Sequence, residues 1–118
     1  MAQSQQDLVT VVFQCDAREI YVRKSLYIVG NHEELGSWIP NKVRLYNDGT
    51  HGDVVADDSI WTVEIQLPVG AEIEYKYTNS GAMGNWVPGE EFPSINRKVK
   101  VEQTETGKML IQDRFGTL

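Results

Sequence analysis

From Trp61 to Leu67 the chain reads Trp-Thr-Val-Glu-Ile-Gln-Leu, so Trp61, Val63, Ile65 and Leu67 share one face of an extended strand while Thr62, Glu64 and Gln66 share the other. One face packs and the other is wet. Comparable stretches rich in Val, Ile, Tyr and Thr recur at close spacing, with Gly, Pro, Asn and Asp between them as turns. The pattern predicts strands near Leu8 to Cys15, Ser25 to Gly30, Lys42 to Tyr46, Ile60 to Leu67, Glu72 to Thr78, Arg97 to Val101 and Lys108 to Gln112. Pro68-Val69-Gly70 is expected to turn the fourth of these back onto the fifth as a hairpin. No segment longer than about two turns has helical periodicity, and one short turn of helix is expected at His32 to Leu35.

Seven or eight such strands imply an all-β chain, two packed antiparallel sheets in an immunoglobulin-like β-sandwich. The 118 residues suit a single domain over 1–118, with an ordered core over about 8–115. No apolar run reaches the roughly 20 residues of a membrane helix. The polar start, Met1 to Asp7, shows no signal peptide, so a complete chain is expected in the cytoplasm. The lone Cys15, inside Val11-Val12-Phe13-Gln14-Cys15, reads as a small buried hydrophobe. A net charge of −6 argues against a nucleic-acid partner, and the basic run Arg97-Lys98-Val99-Lys100-Val101 alternates as a solvated strand does. A monomer without a cofactor is expected.

Two of the three tryptophans stand where a core does not ask for an indole. Trp38 closes the irregular run that begins at Val29, and Trp86 follows Tyr75-Lys76-Tyr77 and precedes Asn96-Arg97. A rigid indole on a loop offers large apolar area at low entropy cost, and Lys76 and Asn96 can read hydroxyls, so the pair suggests a sugar-binding face. Plainer readings stand beside this one. Trp38 can plug one end of the core, Lys76 can be a solvated residue of the outer face, and Asn96 can close a turn. Trp61 reads equally as core and as a stacking residue.

Four matches together carry a family resemblance. They are Tyr27-Ile28-Val29-Gly30-Asn31 with Glu34-Leu35-Gly36-Ser37-Trp38; Ile60-Trp61 leading to Leu67-Pro68-Val69-Gly70; Glu74-Tyr75-Lys76-Tyr77; and Trp86 followed by Asn96-Arg97. In this order the chain resembles the family 20 carbohydrate-binding modules, the starch-binding domains. The resemblance implies a non-catalytic domain that holds α-1,4-glucans such as starch, glycogen or maltooligosaccharides, and that is often fused to or associated with a glucan-active enzyme. A module cut from a secreted amylase would be extracellular, and the alternative reading is a glycogen-targeting or protein-interaction scaffold module.

The resemblance also implies two binding sites. In the first, Trp38 and Trp86 stack on sugar rings at an angle while Lys76 and Asn96 bond hydroxyls. The family's carboxylate directly follows the second tryptophan, whereas here Val87-Pro88-Gly89 intervenes and Glu90 or Glu91 is the candidate. Phe92 in the same insertion is expected to extend the platform or anchor the loop. The second site falls on Trp61 and Tyr21, with Tyr46 or His51 in place of the family's second tyrosine.

Other chemistry is sparse. Asn47 to Asp58 gathers Asp48, Asp53 and Asp58 among glycines and is a weak calcium-loop candidate, but it lacks the register and closing Glu of an EF-hand, and Asx turns explain the same residues. His32 and His51 have no ligand-spaced partners. Glu90 and Glu91, adjacent on an extended chain, point opposite ways and do not make a glycosidase pair. No nucleophile elbow or phosphate loop is present.

Overall fold

The computed structural model describes residues 7–50, 59–87, 89–92 and 95–117. Its strands are β1 (Leu8–Asp16), β2 (Leu26–Gly30), β3 (Val43–Arg44), β4 (Ile60–Pro68), β5 (Glu72–Asn79), β6 (Arg97–Lys100) and β7 (Lys108–Arg114), with a single 3-10 turn at Glu33–Leu35 among the described residues. One sheet has the order β4-β1-β7 and the other β3-β2-β5-β6. The period-two pattern put all seven strands within two residues of these limits.

The core lies between the sheets. Val9, Val11, Phe13 and Cys15 face it from β1, Val63, Ile65 and Leu67 from β4, and Ile73, Tyr75 and Tyr77 from β5. Phe13 meets Tyr75 edge-on at 5.2 Å between ring centroids, and Tyr75 meets Tyr77 at 5.8 Å, which links the two layers. Cys15 is free and buried, and burial pushes its thiol well above the ordinary range, so it is an inert core residue.

Three expectations are corrected. The hairpin of β4 on β5 does not form, because the turn between them changes sheet: the Val69 N–H donates to the Asp7 carbonyl on one side, and the Gly70 N–H to the Val101 carbonyl on the other. Alternation fixes which residues of a strand face inward, and is blind to which layer the strand joins. The sheets are also not wholly antiparallel, since β7 runs parallel to β1 with Phe13 beside Ile111. A strand that arrives from the opposite layer is free of the hairpin link that makes neighbours antiparallel. Finally, the expected third strand is cut short, because Val43–Arg44 pairs with β2 whereas Tyr46 bridges to Thr62 in the other sheet.

Candidate functional site

Trp38 is held out by a rigid turn. β2 ends at Gly30, where a Cβ would meet the Glu74 carbonyl at 2.6 Å, so only glycine lets the chain leave so close to β5. The His32 imidazole caps the following 3-10 turn by accepting from the Glu34 N–H at 3.1 Å, and Leu35 is buried beneath it. Gly36, Ser37 and Trp38 then take left-handed backbone at φ 83°, 49° and 64°. Such backbone costs a residue with a Cβ roughly 1–2 kcal/mol. It is held by the Trp38 N–H, which donates to the Gly30 carbonyl at 2.8 Å and closes the loop on itself.

Trp86 is held from two sides. Before it, the Asn41 side chain donates to the carbonyls of Ala82 and Asn85 at 3.0 and 2.7 Å and accepts from the Thr78 hydroxyl at 2.7 Å. After it, residues 89–91 run antiparallel to the end of β5, with the Asn79 N–H on the Gly89 carbonyl, a bridge between Thr78 and Glu90, and the Glu91 N–H on the Tyr77 carbonyl. This stretch fills the edge of β5 where β6 has stopped. Gly89, at φ 114°, sits where a Cβ would press on the Asn79 carbonyl at 2.3 Å.

The two turns bring the indoles together. Their ring centroids are 6.4 Å apart and their planes are tilted by 43°, and both rings are half-buried. Ile39 and Val87, the chain neighbours of the two tryptophans, are exposed, and so is Met83, three residues before Trp86. The result is an exposed apolar surface. A polar hollow of about 500 Å³ lies elsewhere, among Gln14, Asp16, Gln112 and Arg114.

Lys76 is not the solvated outer-face residue that its position between two tyrosines allowed. It is 4% exposed, and its ammonium lies 5.4 Å from the Trp86 ring centroid, bonded to Glu90 at 2.9 Å and to the Phe92 carbonyl. A buried ammonium needs such partners, and the aromatic face supplies a third. Asn96 is half-buried and donates to Glu74 at 3.3 Å. Asn96 directly precedes β6, whose first residue, Arg97, pairs with Tyr75.

Glu90 and Glu91 do point opposite ways. Glu90 goes to Lys76, whereas the Glu91 carboxylate is buried and pairs with Arg97 at 2.6 Å. Glu91 is therefore withdrawn as a sugar-contacting carboxylate: both its oxygens are engaged under the sheet, by Arg97, the Tyr77 N–H and the Gly116 N–H. Phe92 anchors the loop, with the Arg97 guanidinium 5.4 Å from its ring. Arg97 shares its alternation with Val99 and Val101, and that was the overlooked sign that this cation points inward and needs an acid. Burial alone would lower its pKa, and the hydrogen bonds and charges of Glu91 and Asp113 outweigh burial and raise it. Asn41 was also overlooked, and its only sign was an Asn after Pro40 suited to left-handed backbone.

Of the second candidate site, Tyr46 bridges to Thr62, the chain neighbour of Trp61. Tyr21 is 80% exposed beside a hollow of about 230 Å³ lined by Arg23, Asn79, Ser80 and Gly89, and Trp61 does not line it. Trp61 and Tyr46 instead pack partly buried against the core, with Arg44 over the Tyr46 ring at 4.9 Å. His51, Asp53 and Asp58 lie outside the described residues. Asp48 accepts from the Thr50 N–H at 3.0 Å, which is an Asx turn, and no group of three metal-ligating side chains occurs among the described residues.

Residues 8–109 match the family model described as the starch binding domain. The chain belongs to that family. Starch binding domains are non-catalytic modules, and this one is similar to parts of larger enzymes. It is 30% identical over 96 residues to the alpha-amylase of Streptomyces violaceus, covering 80% of this chain and 14% of that enzyme. It is 34% identical over 77 residues to the cyclomaltodextrin glucanotransferase of Paenibacillus macerans, covering 64% and 10%. Among solved structures, the family 20 module of the maltotetraose-forming amylase of Pseudomonas saccharophila STB07 matches with TM-score 0.56 and 27% identity, over 91% of this chain and all of that one. The Hypocrea jecorina glucoamylase matches with TM-score 0.69 at 20% identity, over 97% of this chain and 18% of that one, and speaks for the fold. The starch binding domain thus spans a small fraction of the length of these enzymes.

Proposed function

We propose that this starch binding domain holds α-1,4-linked glucan across the open surface of Trp38 and Trp86, without catalysis of its own, and so tethers a fused or associated glucan-active enzyme. The observation that carries the reading is the indole pair, 6.4 Å apart and tilted by 43°. Pyranose rings present apolar C–H faces that stack on indoles, and two tilted rings suit a chain that curves. The Lys76 ammonium and the Glu90 carboxylate, paired beside the Trp86 ring, are the polar groups this reading offers to sugar hydroxyls, and Asn96 joins them by the family order. Dissociation constants on the order of micromolar to millimolar are expected, because an open platform leaves much of the ligand wet.

An indole N–H titration with maltoheptaose or β-cyclodextrin tests this. The Trp38 and Trp86 signals move and saturate together, and the Trp61 signal stays. Still signals from both Trp38 and Trp86 would overturn the reading. Release of reducing sugar from starch by the chain alone would overturn its non-catalytic part.

A further inference from the structure

The Arg97 guanidinium ties three separate parts of the chain together. It donates to both oxygens of Glu91 in the loop after Trp86, to Asp113 at 3.3 Å, and to the carbonyls of Arg114 and Thr117 at 2.7 and 2.8 Å. Glu91 in turn accepts from the Tyr77 N–H of β5 and, at 2.7 Å, from the Gly116 N–H. Asp113 accepts from the hydroxyls of Tyr75 and Tyr77, both at 2.8 Å. The cluster thus joins both sheets and the C-terminal residues, and its far side is the segment that bears Trp86.

Glu90 and Glu91 make that segment a two-sided clasp. The bridge from Thr78 to Glu90 puts the neighbouring side chains on opposite faces, so Glu91 is drawn inward to Arg97 while Glu90 meets Lys76 under Trp86. If Glu91 lets go, the stretch 89–91 keeps only its backbone bonds to β5 and loses the tie to Arg97 and Gly116, so Glu90 and Trp86 are less firmly placed. The C-terminal partners Asp113, Arg114, Gly116 and Thr117 lie beyond residue 109, where the family match ends.

We propose that Glu91 and Arg97 are positioning residues for the glucan platform, and that they make residues 113–117 part of its support. The proposal rests on the platform reading above. It concerns ligand affinity, because a glucan stacks on both indoles only if their separation and tilt are set in advance.

Glu91→Gln and Arg97→Lys test it, the first removing the charge at nearly constant shape and the second keeping a cation but losing the fork. Each is titrated with β-cyclodextrin while the three indole N–H signals are followed, and each is melted. The expected result is about tenfold weaker binding, roughly 1.4 kcal/mol, with the Trp86 signal displaced or broadened before ligand is added, and with Trp38 and Trp61 in place and melting still cooperative. Unchanged affinity and an unchanged Trp86 signal in whichever variant folds would overturn the proposal. So would loss of cooperative melting in both variants, which would make the cluster a support of the whole sandwich rather than of the platform. A wild-type chain whose Trp38 and Trp86 signals ignore β-cyclodextrin would instead overturn the platform reading itself.

Discussion

Trp38 and Trp61 are the same side chain on two different kinds of backbone. Trp61 belongs to β4, beside Cys15 of β1, and strand geometry alone turns its indole toward the layer below, where it packs against the core. Trp38 follows a glycine and a serine in left-handed backbone, and its conformational cost is met by the loop that closes onto Gly30. A regular strand aims its residues inward and outward by rule, whereas an irregular turn can hold a large apolar ring where no core covers it. The difference teaches that an indole's role follows from the backbone under it.

The comparison breaks most visibly at Trp86. Trp86→Ala is expected to weaken retention on granular starch by at least about thirtyfold, or 2 kcal/mol, with little change in melting temperature. A pull-down and a thermal melt on the same preparation check both halves. Trp61→Ala is expected to do the reverse: about 2 kcal/mol of stability lost in urea unfolding, because a half-buried indole leaves a gap in the core, with β-cyclodextrin affinity within twofold of wild type.

Ser37→Gly sharpens the role of the turn. It removes the Cβ penalty at φ 49° and also frees the unfolded chain, so a net gain of at most about 1 kcal/mol is expected, with the affinity of the platform kept or slightly lowered. Equilibrium unfolding beside a glucan titration reads it. Smallest is Arg18→Ala, far from the indoles. The hydrogen bonds of Arg18 hold the Asp16 carboxyl below its usual range, so the pair contributes above the ordinary carboxylate pKa and its contribution fades as pH falls through the lowered value. The Arg18 side chain is 63% exposed, so under about 0.5 kcal/mol is expected, visible as a small loss at pH 7 that fades as the pH is lowered below the ordinary carboxylate range.

Much of this was legible in the residues. Alternation in Trp61 to Leu67 gave β4 and its inner face, and the short helical turn expected at His32 to Leu35 is the 3-10 turn at Glu33–Leu35. The order of the family's residues singled out Trp38, Trp86 and Lys76, which the fold brings together. The insertion from Val87 to Ile95 was opaque, because a loop's path depends on partners far away in sequence. Two adjacent glutamates with the same chemistry took opposite fates there: Glu91 met a buried arginine from β6, and Glu90 a lysine from β5.

The sequence by itself determined the strands, their inward faces, the family and the exceptional setting of two tryptophans, since these depend on local period, turn chemistry and residue order. Only the tertiary structure decided that β4 and β5 lie in different sheets, that β7 runs parallel to β1, that Lys76 is buried against Trp86, and that Arg97 reaches from the core to the loop and the C-terminal residues. The physical reason is range. A strand's faces follow from bonds two residues apart, whereas a buried charge is defined by whichever opposite charge the fold carries to it.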